Sequence, residues 1–181
     1  FTADYENGEW KNFEILPFGD IGLSPAISAL HYGQAFFEGL KAYLNVDGKI
    51  TIFRPDQNAI RFNKSAERLC MPTLPEDIFI QSIAAVVNVD KDWIPNKENF
   101  SLYIRPFMFA TDPFLGVTPS TTYKFMVILG PTGPYFSKNL RIKELIVDIK
   151  NYLDTFDRIK TEISFSRIND FFSDEEFVEI S

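Results

Sequence analysis

Four places in this chain bring together residue types that can do chemistry. In residues 101–106 (SLYIRP), Tyr103 and Arg105 lie two apart, so a strand there puts both on one face. An arginine beside a tyrosine makes a receptor for a carboxylate; the same pair also serves as a structural ion-pairing site. Arg61 stands one position before an apolar helical stripe, at the boundary of core and solvent. A guanidinium there can reach a phosphate through charge-assisted hydrogen bonds worth about 1.5–3 kcal/mol each. With Arg54, Lys64 and Arg68 close by, a solvated helix arginine is the ordinary alternative. The third place, residues 30–43 (LHYGQAFFEGLKAY), sets Gly33 and Gly39 among Tyr32, Phe36, Phe37 and Tyr43. Glycine in an apolar run marks a bend or a close approach. The aromatics beside it either wall a ligand pocket or belong to a kinked core strand. The fourth, residues 130–135 (GPTGPY), is a stiff segment that holds Tyr135 in place, or a linker.

Elements to position these groups are readable around them. Asn7-Gly8 predicts a hairpin turn within residues 5–15, with Trp10, Phe13 and Ile15 as its apolar positions. A second turn at residues 45–48 (NVDG) returns the chain into a β-branched strand, KITIF. Pro55 or Asp56 starts a helix whose stripe is Phe62, Ala66, Leu69 and Cys70. After Pro72 and Pro75, Glu76 and Asp77 open a second helix, striped by Phe79, Ile83, Val86 and Val87. Residues 100–111 and 122–129 then read as buried strands. Strands with helices packed against them make an α+β domain.

Composition narrows the class. The chain has 181 residues, enough for one domain with a real core, and 45% of them are hydrophobic, with 19 Phe. A net charge of −7 argues against a nucleic-acid or anionic-membrane surface. The single cysteine, Cys70, cannot form an internal disulfide, which fits a reducing, cytoplasmic setting. No apolar run approaches the roughly 18–20 residues of a membrane span, and no signal peptide is visible.

Taken in order, the four places resemble the amino-terminal small domain of the branched-chain amino-acid aminotransferases. These are class IV pyridoxal-phosphate enzymes of the D-amino-acid-aminotransferase-like fold, with a mostly antiparallel sheet and packed helices. The resemblance rests on His31-Tyr32-Gly33 with Phe37-Glu38-Gly39, and on Phe53-Arg54-Pro55-Asp56 leading to Arg61-Phe62. Tyr103-Ile104-Arg105-Pro106 and Gly133-Pro134-Tyr135 complete it, and the match runs over residues 5–139. It implies that Arg61 binds the phosphate of pyridoxal 5′-phosphate. It implies that Tyr32, Phe37 and Tyr135 line the substrate pocket, some across a homodimer interface, and that Tyr103 and Arg105 hold the side-chain carboxylate of glutamate. Such a site must accept isobutyl-type side chains on apolar walls, at about 25 cal/mol per Å² buried, and a carboxylate at its rim. His31, the only histidine, reads as a satisfied core side chain rather than a general base.

The departure lies in the tail. The family's Schiff-base lysine sits in a glycine-rich segment soon after the Gly-Pro-Tyr motif, and this sequence has no glycine after Gly133. Lys138, Lys143, Lys150 and Lys160 stand in unlike surroundings, so no catalytic lysine is assigned. Residues 144–181 hold ten acidic against four basic side chains, with Phe165, Ile168, Phe171 and Phe172 at helical spacing. The expected division is an aminotransferase-like domain at 1–139 and an acidic tail at 140–181. The expected function is transamination of leucine, isoleucine or valine with 2-oxoglutarate, as part of a larger enzyme. A D-amino-acid transaminase or aminodeoxychorismate lyase of the same fold is the nearest enzymatic alternative, and a non-catalytic interaction module the other.

Overall fold

A computed structural model describes residues 1–134 and the backbone of one further strand, Phe177–Ile180. Elements follow the order β1 (Thr2–Glu6), β2 (Glu9–Glu14), α1 (Ser28–Tyr32), β3 (Ala35–Phe37), β4 (Leu40–Leu44) and β5 (Ile50–Phe53). Next come α2 (Pro55–Arg68), α3 (Glu76–Val89), β6 (Ser101–Ala110), β7 (Tyr123–Thr132) and β8 (Phe177–Ile180). All the strand pairs described are antiparallel and form one sheet in the order β2-β1-β7-β6-β4-β5-β8, with β3 also on β6. The α+β reading holds, and so does the antiparallel sheet.

The hairpins form where their turns predict. Asn7 and Gly8 both take positive φ (55° and 88°), as a two-residue hairpin turn with matching twist requires. In the second, the Asn45 side chain accepts from the backbone N–H groups of Asp47 and Lys49, and Gly48 supplies φ 76°. The stretch 30–43 divides differently from a kinked strand. Its first part is the short helix α1, ended by Gly33 in the left-handed conformation. The remainder is one strand by register. Phe37 faces Phe107 and Leu40 faces Ile104 along β6 without a shift, although hydrogen bonding breaks between β3 and β4. The break has a cause in the partner. Glu38 N–H donates to the Pro106 carbonyl at 2.9 Å, but proline has no N–H to return the bond.

Helices α2 and α3 share one core with the sheet. Phe62 meets Phe36, Phe79 and Phe125 with ring centroids 4.5, 5.1 and 5.4 Å away. Leu102, Ile104 and Met108 of β6 are fully buried in the same core as Ala59, Ala66, Ile83 and Val87. The α2 stripe is shorter than its spacing predicts. The helix ends at Arg68, Cys70 turns left-handed (φ 54°), and Met71 N–H reaches back to the Ala66 carbonyl at 2.9 Å. This is a Schellman closure with cysteine where glycine is usual. Met71 takes the buried position instead, while Leu69 and Cys70 are exposed.

Candidate functional site

Alternation along β3–β4 and β6 sorts the candidate residues onto two faces. Glu38 falls on the side of Leu40 and Ala42, toward α2. Phe37, Gly39 and Lys41 fall on the other side, and Lys41 is directly opposite Tyr103. Tyr103, Arg105 and Phe107 are half-buried there, between fully buried neighbours on β6. The strand reading thus places Tyr103 and Arg105 together as expected. Arg105 donates from Nε and Nη2 to the Tyr103 hydroxyl at 3.2 and 2.9 Å. Its guanidinium also lies 3.9 Å from the centre of the Phe37 ring, a cation–π contact. Held on two sides, the guanidinium still has donors for a carboxylate.

Gly39 makes this arrangement possible. A Cβ there would sit 2.6 Å from the Tyr103 hydroxyl, closer than carbon and oxygen can approach. The absent side chain lets the phenol lie across the strand. Groups from both faces of the strand border one cavity of about 720 Å³. Gly39, Lys41, Tyr43, Arg54, Arg61 and Tyr103 are among its walls. Arg105 reaches this space only through Tyr103.

Arg61 enters from the helix side. Its Nε donates to Glu38 Oε1 at 3.0 Å and its Nη2 to Oε2 at 2.9 Å. The hydrogen bond to Glu38 raises the guanidinium pKa further above its already high value, against a smaller opposing effect of burial. Arg61 is therefore a fixed cation, and its side chain remains 59% exposed. Burial also raises the pKa of the Tyr43 phenol, so it stays neutral at ordinary pH.

The remaining candidates are less central. Tyr32 closes α1 and is 47% exposed, and Phe37 is 59% exposed. His31 is exposed rather than in the core; its Nε2 donates to the Pro25 carbonyl at 2.8 Å, so it is satisfied locally. Tyr135, the Gly-Pro-Tyr residue, and the acidic tail with its aromatic stripe lie outside the described residues, apart from the β8 backbone. Sequence reasoning gave no role to Glu38, Asn58 or Lys41, whereas Tyr43 is among the aromatics read as pocket walls or core, and it borders the cavity. Asn58 and Arg61 stand at i and i+3 on one helix, but nothing local in the sequence ties Glu38 to them. Among the described residues no group of three or more His, Cys, Asp or Glu could hold a metal ion. No helix there is long and apolar enough to cross a membrane.

The geometry can be set beside known proteins. No family model matches the chain. It is 48% identical over 137 residues to branched-chain-amino-acid transaminase 1 of Bacillus subtilis, covering 75% of this chain and 38% of that protein. It is 47% identical over 142 residues to the branched-chain-amino-acid aminotransferase of Mycolicibacterium smegmatis, covering 77% and 39%. Among solved structures, a T.th. branched-chain amino acid aminotransferase with pyridoxamine 5′-phosphate matches with a TM-score of 0.54 at 28% identity. That match covers 76% of this chain and 42% of the other. The Escherichia coli branched-chain amino acid aminotransferase matches at the same TM-score with 26% identity, covering 75% and 41%. The chain is homologous to these aminotransferases and shares their fold. It spans 38% of the length of the Bacillus subtilis relative and 39% of that from Mycolicibacterium smegmatis.

Proposed function

We propose that this chain, a homologue of the branched-chain-amino-acid aminotransferases, is the substrate-selecting part of such an enzyme, which transaminates leucine, isoleucine or valine with 2-oxoglutarate. The observation that carries this reading is the Arg105–Tyr103 pair, laid over Gly39 at the edge of a cavity that Arg61 borders. One cation serves an anionic ligand group on each side of the strand, and the rings of Tyr43, Phe53 and Tyr103 border the cavity.

The residues present fit pyridoxal 5′-phosphate. Arg61 is permanently charged, more than half exposed and beside a cavity large enough for the cofactor. Bound, the cofactor supplies an electron sink for the bond to the α-proton. This chain's own residues bind and select. Arg61 holds the phosphate, Tyr103 and Arg105 receive the second carboxylate of glutamate, and the Phe37 ring backs the Arg105 guanidinium. Tyr32 and Tyr135 complete the pocket walls, Tyr32 from the partner of a homodimer. The division into a small domain at 1–139 and an acidic segment at 140–181 belongs to the same reading, as does a cytoplasmic location. The lysine that bonds the cofactor then lies on the larger part of the enzyme.

Assaying each branched-chain amino acid with 2-oxoglutarate and cofactor tests this. The full-length enzyme carrying this sequence should turn them over, and the 181-residue chain alone should not. Turnover by the chain alone, or a reducible lysine–cofactor adduct on it, would refute the division of labour. A clear preference for D-alanine would favour a D-amino-acid transaminase instead.

A further inference from the structure

The Glu38 carboxylate has no task in the function proposed above, yet it is the most tightly held group beside Arg61. Its side chain is 13% exposed, against 59% for Arg61. It leaves the strand at the break opposite Pro106 and meets two donors one helical turn apart on α2. Arg61 grips both oxygens, and Asn58 Nδ2 donates to Oε2 at 2.8 Å. Asn58 is itself only 7% exposed and donates weakly to the Gly39 carbonyl at 3.4 Å. Three hydrogen bonds therefore fix one carboxylate, and that carboxylate fixes one edge of the guanidinium.

Two of the five N–H donors of Arg61 are used in this way, and three are left. An unheld arginine loses rotamer freedom when it binds, which weakens binding. Ordering it beforehand removes that cost from the binding step. A carboxylate this close also repels an incoming phosphate, so two effects oppose. The repulsion is reduced, because the paired guanidinium neutralises much of the Glu38 charge. The ordering is not reduced.

We propose that Glu38, anchored by Asn58, is a positioning residue that presents the Arg61 guanidinium to the cofactor phosphate. This inference rests on the reading of Arg61 as the phosphate contact. The test compares binding of pyridoxal 5′-phosphate with that of pyridoxal, which lacks the phosphate, by absorbance titration of the full-length apoenzyme. Arg61→Ala should weaken binding of the phosphorylated form only. Glu38→Gln should do the same by about tenfold, the equivalent of one charge-assisted contact. In the Arg61→Ala background, Glu38→Gln should have no further effect. Asn58→Ala, which leaves the ion pair but loosens it, should give a smaller loss of the same kind. If Arg61→Ala changed both ligands equally, the phosphate role of Arg61 would fall, and the Glu38 inference with it. If Arg61→Ala were selective but Glu38→Gln tightened phosphate binding, left it unchanged, or weakened both ligands alike, Glu38 alone would be misread.

Discussion

Arg105 and Arg61 differ in what holds them, and that difference separates their expected effects. Arg105 is held by a neutral hydroxyl and an aromatic face, so its full charge is available to a ligand. Arg61 already has a carboxylate partner. Arg105→Ala in the intact enzyme should raise the KM for glutamate and largely spare leucine, because only glutamate brings a second carboxylate. Losing a contact of about 1.5–3 kcal/mol corresponds to roughly 10- to 150-fold. Equal losses for both substrates, with cofactor binding intact, would make Arg105 a structural arginine. Gly39→Ala should act on the same pair indirectly, since the new Cβ meets the Tyr103 hydroxyl at 2.6 Å. Tyr103→Phe removes the atom in the way. The alanine should therefore cost much less glutamate activity in the phenylalanine background than alone, and simple additivity of the two would sink the close-approach argument.

The elements that carry these residues were legible in the sequence to the extent that local chemistry decides them. The turns at Asn7-Gly8 and at residues 45–48, the start of α2 at Pro55 and the α3 stripe follow from residues that act on their own neighbours. The break between β3 and β4 is different. Gly39 marks it in sequence, but Pro106, far along the chain in the partner strand, withholds the hydrogen bond. The end of α2 was missed because a non-glycine residue, Cys70, takes the left-handed closing position. The ion pair of Glu38 and Arg61 needed the fold, as it joins two elements that no local rule connects. Phe62 sits where α2, α3, β3 and β7 meet, so Phe62→Ala should cost about 3–5 kcal/mol in denaturant unfolding. A cost below about 1 kcal/mol would mean that this core is not the one described. At the β6–β7 connection, burial alone would raise the Asp112 pKa. Donors from Thr121 and Thr122 outweigh it, so the folded value lies below the unfolded one. The stabilisation from Asp112 is then present above about pH 4 and is lost as the pH falls through the lowered folded value. Asp112→Asn should be less stable than the parent at neutral pH, and the gap should close in strong acid; a gap independent of pH would assign the loss to shape rather than charge.

At the scale of the whole molecule, the described surface is uneven. The start of α1 is tied to the β6–β7 connection, as Ser28 N–H donates to the Asp112 carbonyl and Gln34 bonds to Ser120. This brings exposed Leu30 and Tyr32 to the same end of the sheet as exposed Phe114, Leu115 and Val117. Phe37, also exposed, lies on the open face near the cavity. Single exposed apolar side chains are ordinary, whereas a group of them at one end of the sheet is the kind of surface a partner can cover. The function proposed here has the intact enzyme cover it with a second copy, so that Tyr32 of one subunit reaches the site of the other. The intact enzyme should then sediment as a homodimer. A charge placed in the group, as in Leu30→Glu with Leu115→Glu, should shift it toward monomer and lower activity in parallel, while each subunit keeps its fold by circular dichroism. A single wrong charge at a covered apolar contact costs several kcal/mol, whereas at a free surface it costs about 0.5 kcal/mol or less. A full-length enzyme that sediments as a monomer with full activity would remove the partner from the site, and Tyr32 would then be only the last residue of a surface helix.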